Sequence, residues 1–96
     1  MGKVLQVVIY KSVSDETKLE AYAKLAGPAM ESAGAKFLAR GMPIAVREDG
    51  VKTRTVVVEW ESLEVANSAY NSEGYQLALA ALDGSAVREF RYMDAL

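Results

Sequence analysis

The chain has no histidine and no cysteine in its 96 residues, and these two absences narrow its chemistry more than any motif present. Neutral imidazole is the usual metal ligand and the usual general base near pH 7. Without it, and without thiolates, zinc, copper and haem sites lose their ordinary ligands. A Ser-His-Asp or Cys-His nucleophile cannot be assembled, and there is no disulfide framework. Carboxylates, tyrosines, lysines and arginines remain for proton transfer, so neither a metal nor a cofactor is expected. No apolar run reaches the roughly 18 residues that span a bilayer. Met1-Gly2-Lys3-Val4 enters a strand without the apolar segment of a secretory signal, so the expected setting is the cytoplasm. The net charge is −2, with Lys and Arg scattered singly. No basic stripe exists to displace counterions, which argues against a nucleic-acid partner.

What is present is an alternation of strand and helix. Hydrophobic residues make up 51% and charged residues 25% of the chain, an ordinary globular balance. The length suits one domain, residues 1–96, burying about 60–65% of the surface its unfolded chain exposes. Val4 to Tyr10, Lys36 to Arg40, Thr53 to Glu61 and Ala86 to Asp94 read as strands. Ser14 reads as the N-cap of a helix with Asp15 and Glu16 in its first turn. Leu19, Tyr22, Ala23, Ala26, Met30 and Ala33 carry that helix to about Ser32. Gly27-Pro28 predicts a kink or short break inside it, and Gly34 a left-handed stop. Pro43 to Glu48 reads as an edge extension or irregular arm, and Asp49-Gly50 as a turn.

Ser62 caps a second helix with Leu63, Ala66 and Tyr70 inward. Asn71-Ser72 interrupts it, and Ser72 restarts a short helix with the stripe Tyr75, Ala78, Leu79 and Leu82. Right-handed crossovers put the first and third strands in the centre. The expected architecture is α+β: a ferredoxin-like βαββαβ sandwich with an antiparallel sheet. Its central strands barely alternate, reading Val4, Leu5, Val7, Val8, Ile9 and Val56, Val57, Val58, Trp60. An antiparallel sheet with one wet face alternates cleanly. A sheet apolar on both faces needs two covers, and the helices supply one. The second is expected from another copy of the chain, giving a homodimer through the open sheet face.

Longer stretches resemble the domain-of-unknown-function family DUF1330. They are Tyr22-Ala23-Lys24-Leu25-Ala26-Gly27-Pro28-Ala29 and Gly34-Ala35-Lys36-Phe37-Leu38-Ala39-Arg40-Gly41. Arg54-Thr55-Val56-Val57-Val58-Glu59-Trp60, Ser62-Leu63-Glu64 and Tyr70-Asn71-Ser72-Glu73-Gly74-Tyr75-Gln76 follow in order. Gly84-Ser85-Ala86-Val87-Arg88-Glu89-Phe90-Arg91 closes the series. The resemblance implies a dimeric α+β barrel, two ferredoxin-like sheets facing each other, and supplies no reaction. Met42, Trp60-Glu61 and Glu73-Gly74 depart from the family's usual second glycine, Phe-Pro and Pro-Glu.

Side chains alternate along a strand, so Thr55, Val57 and Glu59 face away from Val56, Val58 and Trp60. A carboxylate on an apolar central strand is costly unless paired, which makes Glu59 the best catalytic candidate. Arg40, ending the second strand, is its natural partner. One reading is a pocket in which Glu59 is a base or anchor and Arg40 binds an anionic group. Another is a structural ion pair, or Glu59 in water at the strand end. Tyr70, Ser72 and Tyr75 gather at the helix break, where free N–H groups and hydroxyls suit an anion or carbonyl. Equally, Ser72 is an N-cap and the tyrosines are core rings with hydroxyls at the rim. Trp60 reads as core. Arg88 and Arg91 fall on opposite faces of the last strand, one pairing across the dimer and one in water. The expected function is that of a small homodimer binding an anionic or aromatic small molecule in a pocket lined by Arg40, Glu59, Tyr70, Ser72 and Tyr75. The alternative is a cofactor-free enzyme of the dimeric barrel type, monooxygenase- or isomerase-like, which rests on fold analogy.

Overall fold

The two most apolar strands occupy the middle of the sheet. The computed structural model describes residues 2–96. In chain order it contains β1 (Val4–Val13), α1 (Glu16–Ser32), β2 (Lys36–Gly41), β3 (Thr55–Trp60), α2 (Leu63–Tyr70), α3 (Glu73–Leu82) and β4 (Ala86–Asp94). The sheet order is β2-β3-β1-β4, with every neighbouring pair antiparallel. The first strand runs three residues beyond Tyr10, because a register shift between Tyr10 and Ser12 lets it keep pairing with β4.

Local chemistry sets the helix ends, with one correction to the sequence reading. Asp15, not Ser14, caps α1: its Oδ1 accepts the Lys18 N–H at 3.1 Å. Both residue types cap well, and a long-range contact decides between them. Ser14 turns away and its hydroxyl donates to the Ser85 carbonyl at 3.2 Å. At the other end Ala35 N–H reaches Met30 O at 2.9 Å and Gly34 N–H reaches Glu31 O at 3.0 Å. This paired closure needs the left-handed backbone that Gly34 adopts at φ +106°. The expected break at Gly27-Pro28 does not occur, and α1 is continuous through Pro28. Tyr22 and Ala26 before the proline and Met30 after it are all buried, so packing on both sides carries the helix across one missing bond.

Ser62 and Ser72 cap α2 and α3, accepting from Val65 N–H and Tyr75 N–H, each at 3.2 Å. In α2 the inward residues are Ala66 and Ala69, while Leu63 and Tyr70 are exposed. The expected inner face was wrong by part of a turn: the helix meets the core through its small residues.

One parity of each central strand meets the helices. Val4, Gln6, Val8 and Tyr10 of β1 and Val56, Val58 and Trp60 of β3 are buried. Full burial of Val58 or Trp60 is worth about 1.5–3 kcal/mol each. The other parity, Leu5, Val7, Ile9, Thr55, Val57 and Glu59, is only partly buried, and no helix covers it. The Cα envelope measures 34 × 33 × 16 Å; its thin dimension holds the sheet and a single helical layer. Among the described residues no helix is long and apolar enough to cross a membrane.

Candidate functional site

Strand parity also decides which polar side chains meet. Gln6, Val8 and Tyr10 of β1, Val56 and Val58 of β3, Phe37 and Arg40 of β2, and Arg88 of β4 line a cleft beneath α1. Arg54, just before β3, and Tyr75, in the first turn of α3, close its sides, and Leu19, Tyr22, Ala26 and Met30 of α1 form its roof. The free space is narrow, about 50 Å³, room for roughly three or four waters or a small planar acid.

The electrostatics of this cleft are one-sided. Three guanidiniums line it and no carboxylate does. None of the three forms an ion pair among the described residues. The chain as a whole is acidic, so its cleft runs against its net charge. Arg88 is the most embedded of them. Its Nη1 donates to the Tyr22 hydroxyl at 3.0 Å, and its Cζ lies 4.9 Å from the Tyr22 ring, 4.8 Å from Phe90 and 5.5 Å from Tyr10. Ring faces attract such a cation. Burial opposes the Arg88 charge, but the surrounding Tyr22 and Tyr75 hydroxyls outweigh it and hold the pKa above its ordinary value. Arg40 lies 4.5 Å over Phe37, and the Nε of Arg54 is buried without a protein partner.

Two phenols and an amide complete the polar lining. The hydroxyls of Tyr22 and Tyr75 are 2.7 Å apart in a buried hydrogen bond. Burial, reinforced by the neighbouring Tyr22, pushes the Tyr75 hydroxyl far above the ordinary phenol range, so it stays protonated. Gln6 is 3% exposed, and its Oε1 accepts the Trp60 indole N–H at 2.8 Å. An indole N–H can only donate, which fixes the orientation of an amide whose residue lines the cleft.

Of the residues singled out from the sequence, Arg40 and Tyr75 line this cleft together. Tyr70 does not; it is half exposed and stacks behind, 5.2 Å from Tyr75 and 6.1 Å from Phe90. The Ser72 hydroxyl is consumed as a cap, donating to Ala69 O at 2.7 Å as well as accepting from Tyr75 N–H. Glu59 is on the opposite face of the sheet, with its nearest cation the Lys3 ammonium at 4.0 Å. The expected Glu59–Arg40 pair is therefore corrected: the two side chains lie on opposite sides of the sheet. A bulge is the reason. Phe37 pairs with Val58 and Ala39 with Val57, so Leu38 is an extra residue and Arg40 falls opposite Val56. One extra residue exchanges the faces of everything after it.

Gln6, Tyr22, Arg54 and Arg88 were missed as site residues. Gln6 carried a readable signal, being in step with Val4, Val8 and Tyr10. Arg88 is in step with Phe90 and Tyr92, which marks the helix face, and Arg91 takes the other face beside Glu89. Nothing in the sequence distinguished Arg54. Among the described residues no three His, Cys, Asp or Glu side chains gather to hold a metal.

These features define a ferredoxin-like α+β domain with an arginine- and tyrosine-lined cleft on its helix face. The chain belongs to the family described as domain of unknown function DUF1330, whose model matches residues 3–96. Among solved structures it is similar to a protein of unknown function from Rhodopseudomonas palustris, at 13% identity and a TM-score of 0.77, covering 99% of this chain and 83% of that one. It is also similar to SnoaB, a cofactor-independent oxygenase from Streptomyces nogalater, at 14% identity and a TM-score of 0.64, covering 100% and 95%. A third likeness is to a dimeric protein of unknown function and ferredoxin-like fold from Bacteroides fragilis, at 14% identity and a TM-score of 0.58, covering 99% and 98%. At these identities the likeness carries the fold alone. No curated protein matches the chain.

Proposed function

We propose that this chain is a homodimer whose protomers each bind a small organic acid anion in the cleft beneath α1. A single observation carries the reading: Arg40, Arg54 and Arg88 converge on one narrow apolar cleft that no carboxylate neutralises. Guanidinium forks are suited to carboxylate oxygens. Each charge-assisted bond contributes about 1.5–3 kcal/mol. Titration of 2-oxobutanoate, benzoate and their uncharged amides, followed by ligand line broadening in NMR, tests it. The acids bind and the amides do not, and Arg88→Leu weakens binding at least tenfold. Equal binding of acid and amide, or an acid affinity indifferent to both Arg88→Leu and Arg40→Leu, would overturn the reading.

The homodimer is supported by the open sheet face. Leu5, Val7 and Val57 are neighbours across β1 and β3, with Met93 beside Leu5 on β4. Charged pairs flank this apolar centre, Lys3 with Glu59 at one end and Lys11 with Glu89 at the other. The dimeric neighbour from Bacteroides fragilis is in keeping with it. A second reading, a cofactor-free enzyme, is favoured by one feature of the cleft: a phenol pair placed against a guanidinium, groups able to move protons. SnoaB, which shares the fold, is a cofactor-independent oxygenase.

A further inference from the structure

The hydroxyls of Tyr22 and Tyr75 present an accounting problem. Between them they carry two protons, and their mutual hydrogen bond at 2.7 Å uses one. Arg88 supplies a third polar hydrogen to Tyr22 at 3.0 Å, and a guanidinium can only donate. Neither hydroxyl donates to any other protein group among the described residues. One phenolic proton of the pair is therefore left without a protein acceptor, although Tyr75 is 3% exposed, and both tyrosines line the cleft. A buried donor of this kind needs a partner. Any two hydroxyls bonded to each other leave one proton over; here the pair lines a cleft with free space for an acceptor and has a permanent cation behind it.

We propose that the Tyr22–Tyr75 pair, backed by Arg88, is a proton-transfer site that interconverts the enol and keto forms of a small 2-oxo acid; this rests on the anion-binding reading above. In the ketonisation direction the spare phenolic O–H bond breaks and its proton goes to the enol carbon. The electrons of the C=C bond form the new C–H bond. The enol O–H bond breaks, its electrons complete the C=O bond, and its proton returns to the tyrosine pair. The pair begins and ends with two protons, and nothing is oxidised or reduced. Negative charge that develops on a phenol oxygen faces the Arg88 N–H and the other tyrosine's O–H, donors already in place before the charge appears. The acid's carboxylate takes the remaining guanidinium N–H groups. No histidine, metal or cofactor enters the cycle. The free space of about 50 Å³ favours a short acid over a bicyclic one.

The test is exchange of the C3 protons of 2-oxobutanoate in D₂O, followed by proton NMR, with line broadening in the same spectra reporting binding. The wild-type chain is expected to exchange these protons faster than buffer alone. Tyr22→Phe and Tyr75→Phe are expected to keep the broadening and lose at least about tenfold in exchange rate, within the usual range for a general acid–base group. If Tyr22→Phe does not fold, Tyr75→Phe removes the same hydrogen bond and decides the matter. Broadening without exchange by the wild-type chain overturns the proton-transfer proposal and leaves anion binding standing. Neither broadening nor exchange overturns both. Exchange that survives in either folded phenylalanine variant overturns the assignment to this pair.

Discussion

The two faces of one sheet are built from the same strands and have opposite characters. Beneath the helices, Val58 and Trp60 are 0% and 2% exposed, and the polar groups admitted there are arginines, tyrosines and a glutamine with assigned roles. On the other side Leu5, Val7, Ile9 and Val57 make an apolar centre, and the charges around it are paired with one another. Charges that pair locally at a rim contribute little energy but discourage wrong neighbours. Charges left unpaired inside a cleft ask for a ligand. The chain thus places its neutralised charges where association is expected and its unneutralised ones where binding is expected.

Neighbouring valines on β3 break this comparison most sharply. Val58→Asp puts a charge into the covered core and should abolish folding, a loss on the order of 4 kcal/mol or more, read by circular dichroism and urea denaturation. Val57→Asp should leave a folded chain and turn the proposed dimer into monomer, read by native mass spectrometry beside the wild-type chain. A dimer that survives this change would remove the open face from the interface.

Alkaline pH gives a smaller effect. Tyr75 is neutral in the fold with a raised pKa, whereas the unfolded tyrosine ionises near 10. Its contribution is complete below about pH 10 and declines above it, because only the unfolded state releases the proton. At about pH 11 the loss is about 1.4 kcal/mol. Tyr75→Phe should flatten the dependence of urea stability on pH between about 9 and 11; an unchanged slope would mean that Tyr75 is not the group. The smallest effect belongs to Glu59→Gln, which should leave acid binding in the cleft unchanged. Weakened binding in the NMR titration would move the site to the open face.

Much of this arrangement was legible because it depends on short-range rules. The strand order followed from crossover handedness, and the buried parity of β3 from Val56, Val58 and Trp60. Ser62, Ser72 and Gly34 announced the helix ends. What stayed hidden depended on register between distant segments. Arg40 and Glu59 both sit at strand ends, but the bulge at Leu38 separates their faces, and nothing in Lys36-Phe37-Leu38-Ala39-Arg40 marks it. Arg88 and Tyr22 are 66 positions apart, and only the completed sheet and helix bring them together. Ser14 read as the cap of α1, but its hydroxyl is taken by the Ser85 carbonyl from the far end of the chain, and Asp15 caps instead. Gln6 could have been found, since its parity alone placed an amide among buried side chains.

The bond from the Trp60 indole to Gln6 has a practical consequence. Trp60 is the chain's single tryptophan, and it holds by its N–H the amide of Gln6, a residue that lines the cleft. Should the proposed acid bind there and engage that amide, the indole's hydrogen bond is the first to feel it. Emission from that one fluorophore is then the expected reporter of occupancy, and a ligand library can be screened on the unlabelled, unmodified protein.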